Sequence, residues 1–217
     1  MKIIISPAKT FNFNSISGDN RDINFLPITK MLMERLNCIK STTLYKALDL
    51  YDGLCFRSLK KSGLSVKELE YLNKNLYILS ALYGCLKPNE YIYPYRLDFN
   101  MRNDLGNLYK IWQDEVYKII CQDSNEVIIN LASDEFSKLI IPFIDKKYLI
   151  NVEFYHLVAG VLKKHSTISK KARGLMTWYL AHNQINYYHE IKNFDVDNFF
   201  YDANLSTANN YIFIKEV

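Results

Sequence analysis

Apolar positions change period several times along the chain, and each change predicts an element. "KIIIS" opens with the run Ile3–Ile5, which stops at Ser6-Pro7. A short, continuous apolar run of this kind predicts a buried strand. A helix is predicted over Ile28–Ile39, and another over Thr43–Tyr51, where Leu44, Ala47, Leu48 and Tyr51 follow the i, i+3, i+4, i+7 rule. "SVKE", Ser65 to Glu68, is a capping box, so a helix begins there. Leu76–Gly84 is a short apolar run read as a strand. Tyr91, Tyr93 and Tyr95 alternate within Tyr91–Phe99, but Pro94 lacks a ladder donor and demotes the segment to an edge strand or extended loop. Leu108, Ile111, Trp112, Val116, Ile119 and Ile120 predict one amphipathic helix over Gly106–Cys121.

In the second half, "EVIINLAS" reads as a fully buried strand, and "SDEFSKLI" as a strand-to-helix turn capped by Ser133 or Asp134. Strands are predicted around Tyr148–Phe154, Leu157–Leu162 and Tyr211–Glu216. Between the last two, Leu175, Met176, Tyr179 and Leu180 mark a buried helix face, with Ser169 as its cap. Helices and strands interleave without strict βαβ regularity. The fold class expected is therefore α/β in the mixed α+β sense: one domain over residues 1–217, with a mixed β-sheet surrounded by helices.

Composition adds bounds. With 217 residues, 49% of them hydrophobic, the chain is long enough for one substantial core. The opening apolar run is too short for a signal peptide or a membrane span, so a cytoplasmic protein without membrane association is expected. Cys38, Cys55, Cys85 and Cys121 are widely spaced and read as reduced thiols. His156, His165, His182 and His189 form no compact ligand motif, and the phosphate-loop patterns GxGxxG and GxxxxGK are absent. No metal and no cofactor are expected. Net charge is only +4, but its distribution is uneven. Tyr155–His189 contains no Asp or Glu while holding Lys163, Lys164, Lys170, Lys171 and Arg173, and Met1–Gly18 is likewise free of acids. One basic face follows.

Several stretches carry candidate chemistry, each with a plainer alternative. "SPAKT" places Ser6, Lys9 and Thr10 at the carboxyl edge of a sheet, where ligands bind in α/β folds; it also suits an ordinary exit loop. Lys9 has no acid close in sequence to pair with it. "NLASDEF" offers Asn130, Ser133, Asp134 and Glu135; its acids suit a helix start, and either could also act as a base. The tetrad Leu82-Tyr83-Gly84-Cys85 fits a helix-hairpin-helix turn in which Gly84 admits a phosphate to backbone amides, with Lys87 adding charge. Tyr91, Tyr93, Tyr95 and Arg96 could stack on bases or simply pack. In "ISKKARGLM", a cap at Ser169 puts Lys170, Lys171 and Arg173 in the first helical turn, where each cation costs ~0.3–1 kcal/mol unless an anion is received there. Otherwise the cations are a solvated end and Gly174 lets a neighbour pack closely.

Taken in order, "ISPAKT", "LSALYGCLKP", "YPYRLDF", "INLASDEF" and "KKARGLM", with a terminal "FF…YIF", resemble the YaaA family, also called UPF0246 or DUF328, the peroxide stress resistance proteins of bacteria. The resemblance covers nearly the whole chain. It implies a cytoplasmic protein that limits intracellular iron under peroxide stress and binds double-stranded DNA, largely independently of sequence. It also implies a mixed α/β fold with a basic cleft and a helix-hairpin-helix-like element. By position, Ser6, Lys9 and Thr10 match the first motif, and Gly84, Lys87 and Pro88 the second. Pro94, Tyr95, Arg96 and Asp98 match the third, Asn130, Ser133, Asp134 and Glu135 the fourth, and Lys170, Lys171, Arg173 and Gly174 the last. Phe136 departs from the family's usual Tyr, "STIS" stands where an aromatic pair is usual, and the chain is shorter than many members. On this reading Lys9, Arg96, Lys170, Lys171 and Arg173 contact phosphates, and no obligate protein partner is implied. The alternative is an enzyme acting on a nucleotide or nucleic acid, with Ser6 and Lys9 on phosphate and Asp134 or Glu135 as acid or base. Direct iron sequestration is the weakest reading, for want of a ligand cluster.

Overall fold

The fold is built outward from its first strand. The computed structural model describes residues 1–15, 23, 25–121 and 126–216. β1 (Lys2–Ile5) carries Ile3, Ile4 and Ile5, all fully buried. Complete burial of three consecutive residues requires cover on both faces, and each isoleucine then contributes roughly 1.5–3 kcal/mol relative to exposure. After β1 come α1 (Pro27–Arg35), the short β2 (Tyr45–Lys46), α2 (Ala47–Leu50), α3 (Leu54–Leu59), α4 (Val66–Asn75), β3 (Leu76–Ser80), β4 (Gly84–Leu86) and β5 (Tyr91–Ile92). α5 (Leu108–Trp112), α6 (Glu115–Cys121), β6 (Ile128–Asn130), α7 (Asp134–Ser137), β7 (Leu149–Val158), β8 (Val161–Lys163), α8 (Ser166–His182), β9 (Phe199–Tyr201) and β10 (Asn210–Glu216) complete the order.

The main sheet runs β4-β3-β1-β6-β7-β10-β9, with β8 paired to β7 beside this path. Its five central strands, β3, β1, β6, β7 and β10, are parallel to their neighbours. Antiparallel β4 and β9 flank them. Counted among themselves in chain order, the parallel strands lie as 2-1-3-4-5, a doubly wound arrangement. Helices packed around one mixed sheet are what the interleaved pattern predicts.

Local agreement with the sequence is closest where a cap or a buried run decides the element. Ser65 accepts the Glu68 amide while Glu68 accepts the Ser65 amide at 2.7 Å, so the capping box opens α4. The apolar runs at β1, β3, β6 and β10 are strands. Four expectations shift. In Thr43–Tyr51 only Ala47–Leu50 is helical, because Tyr45 and Lys46 are drawn into an antiparallel pair with Ile92 and Tyr91. The helix over Gly106–Cys121 is two helices, broken at Gln113 with φ 46°. Trp112, which donates its indole N–H to the Ala81 carbonyl at 2.9 Å, and Val116 then both close on Gly84. The two strands around Tyr148–Leu162 are one long β7 folded back on β8 through Ala159 and Gly160, both at positive φ. The strand expected to Gly84 ends at Ser80, and a turn leads into β4.

The helix holding the cations also starts earlier than its pattern suggests. α8 begins at Ser166, one turn before Ser169, whose hydroxyl is buried and donates to the Phe154 carbonyl on β7 at 3.4 Å. Lys170, Lys171 and Arg173 therefore lie in the second and third turns, beyond the part of the helix where the dipole acts on a charge. Gly174 does what its plainer reading proposes. A Cβ there would stand 2.0 Å from the Cys55 carbonyl oxygen, so α8 and α3 touch backbone to side-chain-free backbone.

This contact fixes the sign of a substitution. Ala at 174 gains about 1 kcal/mol of helix propensity over Gly, but overlap with a backbone carbonyl that cannot swing aside costs ~1–3 kcal/mol or more. Gly174→Ala is expected to lower the urea midpoint clearly, whereas exposed Lys171→Ala should leave it within about 0.5 kcal/mol. A Gly174→Ala protein as stable as the parent would show that the helices are free to part.

Candidate functional site

Strands β1 and β6 are neighbours, yet the chain leaves β1 for β3 on one side and returns to β6 on the other. Connections diverging from adjacent parallel strands open a crevice at their carboxyl ends, the switch point at which ligands bind in such sheets. The crevice is present as a cavity of about 580 Å³. Ser6 to Thr10, following β1, form one wall, and Leu131, Ser133 and the start of α7 form the other. Gly53 to Phe56 close the space from α3, and Lys170 and Arg173 reach it from α8.

The two strand exits are clasped to each other. The Ser133 N–H donates to Ser6 Oγ at 2.8 Å, and the two hydroxyls are hydrogen-bonded at 3.1 Å. Asn130 bends the β6 exit by accepting the Ala132 amide at 3.0 Å, while its own amide group donates to Asn151 at 2.8 Å. Gly53 admits α3 to the β1 loop, since a Cβ there would lie 2.9 Å from that of Ala8. Accepting the Ser133 amide and paired with its hydroxyl, Ser6 is a structural clasp between the two strand exits.

Charge within the crevice is mixed. Arg173 is half-buried on its wall, and its Nε is out of contact with solvent and has no hydrogen-bond acceptor. Burial pulls the Arg173 pKa down, opposed by Cys55, Asp134 and Glu153, but a guanidinium keeps its proton. Lys170, three residues earlier on the same helical face, is exposed at the mouth. Lys9 is otherwise engaged: its ammonium lies 2.8 Å from Asp98, whose same oxygen is 3.2 Å from Arg96. That partner sits 89 residues away in sequence, which is why no local acid announced it. Asp134 is exposed, and Glu135 accepts the Asn100 amide at 3.4 Å. Burial pushes the Cys55 thiol up to about 12 despite Arg173, leaving it protonated and inert toward nucleophilic chemistry.

The structure thus gathers Ser6, Lys9, Thr10, Asp134, Glu135, Lys170 and Arg173 around one cavity. Other candidates fall elsewhere. Arg96 borders an adjoining shallow recess with Lys9 and Asp98. Lys171 is exposed on α8 and does not line the cavity. Gly84 and Lys87 are corrections. The tetrad around Gly84 is the turn of the β3–β4 hairpin, between strands rather than helices, and a Cβ on Gly84 would meet the Trp112 ring at 2.7 Å. This glycine serves the core. Lys87 lies at the opposite, amino-terminal edge of the parallel strands, 3.5 Å over the Tyr77 ring, donating to the Lys74 carbonyl. Burial, then the charge of Lys2, brings it down to about 8. Tyr95 packs rather than stacks on a ligand, its buried hydroxyl bonded to Tyr51 at 2.9 Å and Ser80 at 2.7 Å. Gly53 to Phe56 also line the cavity, and a glycine directly before an apolar helix start is their one local signal in the sequence.

All four cysteines are free, and among the described residues no group of three His, Cys, Asp or Glu side chains is placed to hold a metal ion. Nor, among them, is any helix long and apolar enough to cross a membrane.

Fold and site together define an α/β protein with a ligand-sized crevice at the switch point of its sheet. Its sequence matches the family model described as peroxide stress protein YaaA over residues 27–205. A UPF0246 protein of Clostridioides difficile is 33% identical over the full length of both chains. One of Finegoldia magna is 34% identical, covering 100% of this chain and 99% of the relative. One of Lactiplantibacillus plantarum is 37% identical over 76% of this chain and 68% of the relative. The chain belongs to the YaaA (UPF0246) family of peroxide stress proteins, as its five ordered motifs suggest.

The clasp has a measurable hierarchy. Ser6→Ala strands a partly buried amide and should cost ~1–3 kcal/mol, whereas Ser133→Ala removes only the hydroxyl pair, worth ~0.5–1.5 kcal/mol. Chemical denaturation of the two variants should rank them in that order. The reverse ranking would mean that the strand exits are held by something other than this amide.

Proposed function

We propose that the crevice binds phosphate and that the protein serves in peroxide stress by binding DNA through it. The observation that carries this reading is Arg173: a guanidinium on the cavity wall whose buried Nε has no acceptor. A desolvated, unpaired donor on a cation is costly unless an anion completes it. Lys170 stands beside it at the mouth, and the exposed cations continue in sequence to Lys171. Fixed oxygen acceptors on a polyanion suit such a set, and backbone contacts of this kind carry no base preference. The iron-limiting role implied by the resemblance is proposed to follow from this binding rather than from chelation, since the described residues offer no ligand cluster.

The ion pairs set the expected salt dependence. Asp98 already neutralises Lys9 and Arg96 in part, leaving Lys170, Lys171 and Arg173. Three phosphates met at about −0.9 each give a slope of log K against log salt near −3. Fluorescence anisotropy of a labelled duplex at several salt concentrations should give that slope, falling to about −1 in Lys170→Ala/Arg173→Ala. Asp98→Asn should steepen it toward −4 or −5 by releasing two further cations. A parent slope smaller than about one in magnitude would remove the proposal.

A further inference from the structure

The dimensions of the crevice narrow the phosphate reading, on which this inference rests. Its volume of about 580 Å³ lies within the range of small-ligand sites, ~300–1,000 Å³. A double helix, whose major groove alone is ~12 Å across, does not enter a space of that size. The wall chemistry has three parts: cations at Lys170 and Arg173, carboxylates at Asp134 and Glu135, and apolar surface from Leu54, Phe56, Leu131 and Phe136. A single nucleotide unit presents the matching three, namely a phosphate, sugar hydroxyls that donate to carboxylates, and a base with apolar faces.

We infer that the crevice is a recognition site for a free 5′-mononucleotide, whose sugar keeps the hydroxyl that a nucleotide inside a DNA strand has given up to its next phosphodiester. A terminal phosphate carries about −1.5 to −2 charge at neutral pH, against −1 for an internal diester. Two cations, Arg173 and Lys170, meet a dianion where one would be enough for a diester. Arg173 supplies the desolvated donor, Lys170 the charge at the mouth, and the carboxylates hold the sugar while disfavouring a second phosphate.

The test is calorimetric titration of the full chain with a 5′-mononucleotide, its nucleoside and inorganic phosphate. The mononucleotide should bind about 1:1, and about 10- to 100-fold more tightly than either fragment, as expected for charge-assisted bonds together with the apolar contact. Arg173→Gln and, where that substitution unfolds the protein, exposed Lys170→Ala should each weaken the nucleotide about 10-fold. Asp134→Asn should weaken the nucleotide and leave inorganic phosphate unchanged, and Lys67→Ala, on the surface of α4, should change neither. Nucleoside binding as tight as nucleotide, or inorganic phosphate as tight as both, would overturn the inference. Competition tests the sugar contact: linear duplex with 5′-phosphate ends, whose terminal deoxyribose has no free hydroxyl and carries a second phosphate, should not displace the nucleotide, and displacement as effective as by free nucleotide would overturn the inference. Covalently closed circular DNA separates the two readings. If it binds with a steep salt slope while the mononucleotide does not bind, DNA binding stands and this inference falls. If the mononucleotide binds and the circle does not, the site stands and binding along the duplex falls.

Discussion

The approach of α8 to α3 is set by the missing side chain at Gly174. Backbone meets backbone there, with the Cys55 carbonyl where any Cβ would need to be. Because the helices close to this distance, Arg173, one residue earlier, is carried against the cavity wall and loses solvent around its Nε. A longer separation would leave the same arginine hydrated and paired with water. The close contact converts an ordinary surface cation into a desolvated donor, and it does so next to the loops that leave β1 and β6. The Ser6–Ser133 clasp holds those loops together. Packing and chemistry therefore meet in one short stretch of α8.

Charge in the crevice is more balanced than a count of basic residues implies. Asp98, itself nearly buried, draws on both Lys9 and Arg96, and Asp134 and Glu135 face the same cavity as Lys170 and Arg173. A site of mixed sign discriminates more than a uniformly basic one, because each carboxylate penalises an anion in the wrong place. On the proposed reading, the peroxide stress role of the family is served by a specific pocket rather than by a diffuse basic face.

What the sequence disclosed follows from how local the deciding interaction is. Buried apolar runs at β1 and β6 announce themselves, and the polar residues just after them, Ser6 to Thr10 and Ser133 to Glu135, fall at the carboxyl edge once the strands are placed. The capping box at Ser65 and Glu68 needs only four residues to be read. α8 starts one turn before Ser169, and the apolar spacing Ile168, Ala172, Leu175 and Met176 is the local signal that the helix includes it. The break at Gln113 comes from Trp112 and Val116 packing on Gly84, a partner some thirty residues away. The same distance hid the true use of Gly84, whose tetrad looks alike in a helical hairpin and a strand hairpin. Asp98 as the partner of Lys9 and Gly53 as the neighbour of Ala8 are tertiary facts that no periodicity encodes.

The central claim is that Arg173 awaits an anion, and its Nε–H reports on this directly. In nitrogen-15 NMR of the labelled protein, addition of a 5′-mononucleotide should move the Arg173 Nε–H proton downfield and slow its exchange with water, as a charge-assisted hydrogen bond forms at a donor that had none. An Arg173 signal that stays in place and exchanges as before, while the nucleotide is bound, would show that the crevice does not hold phosphate through this residue.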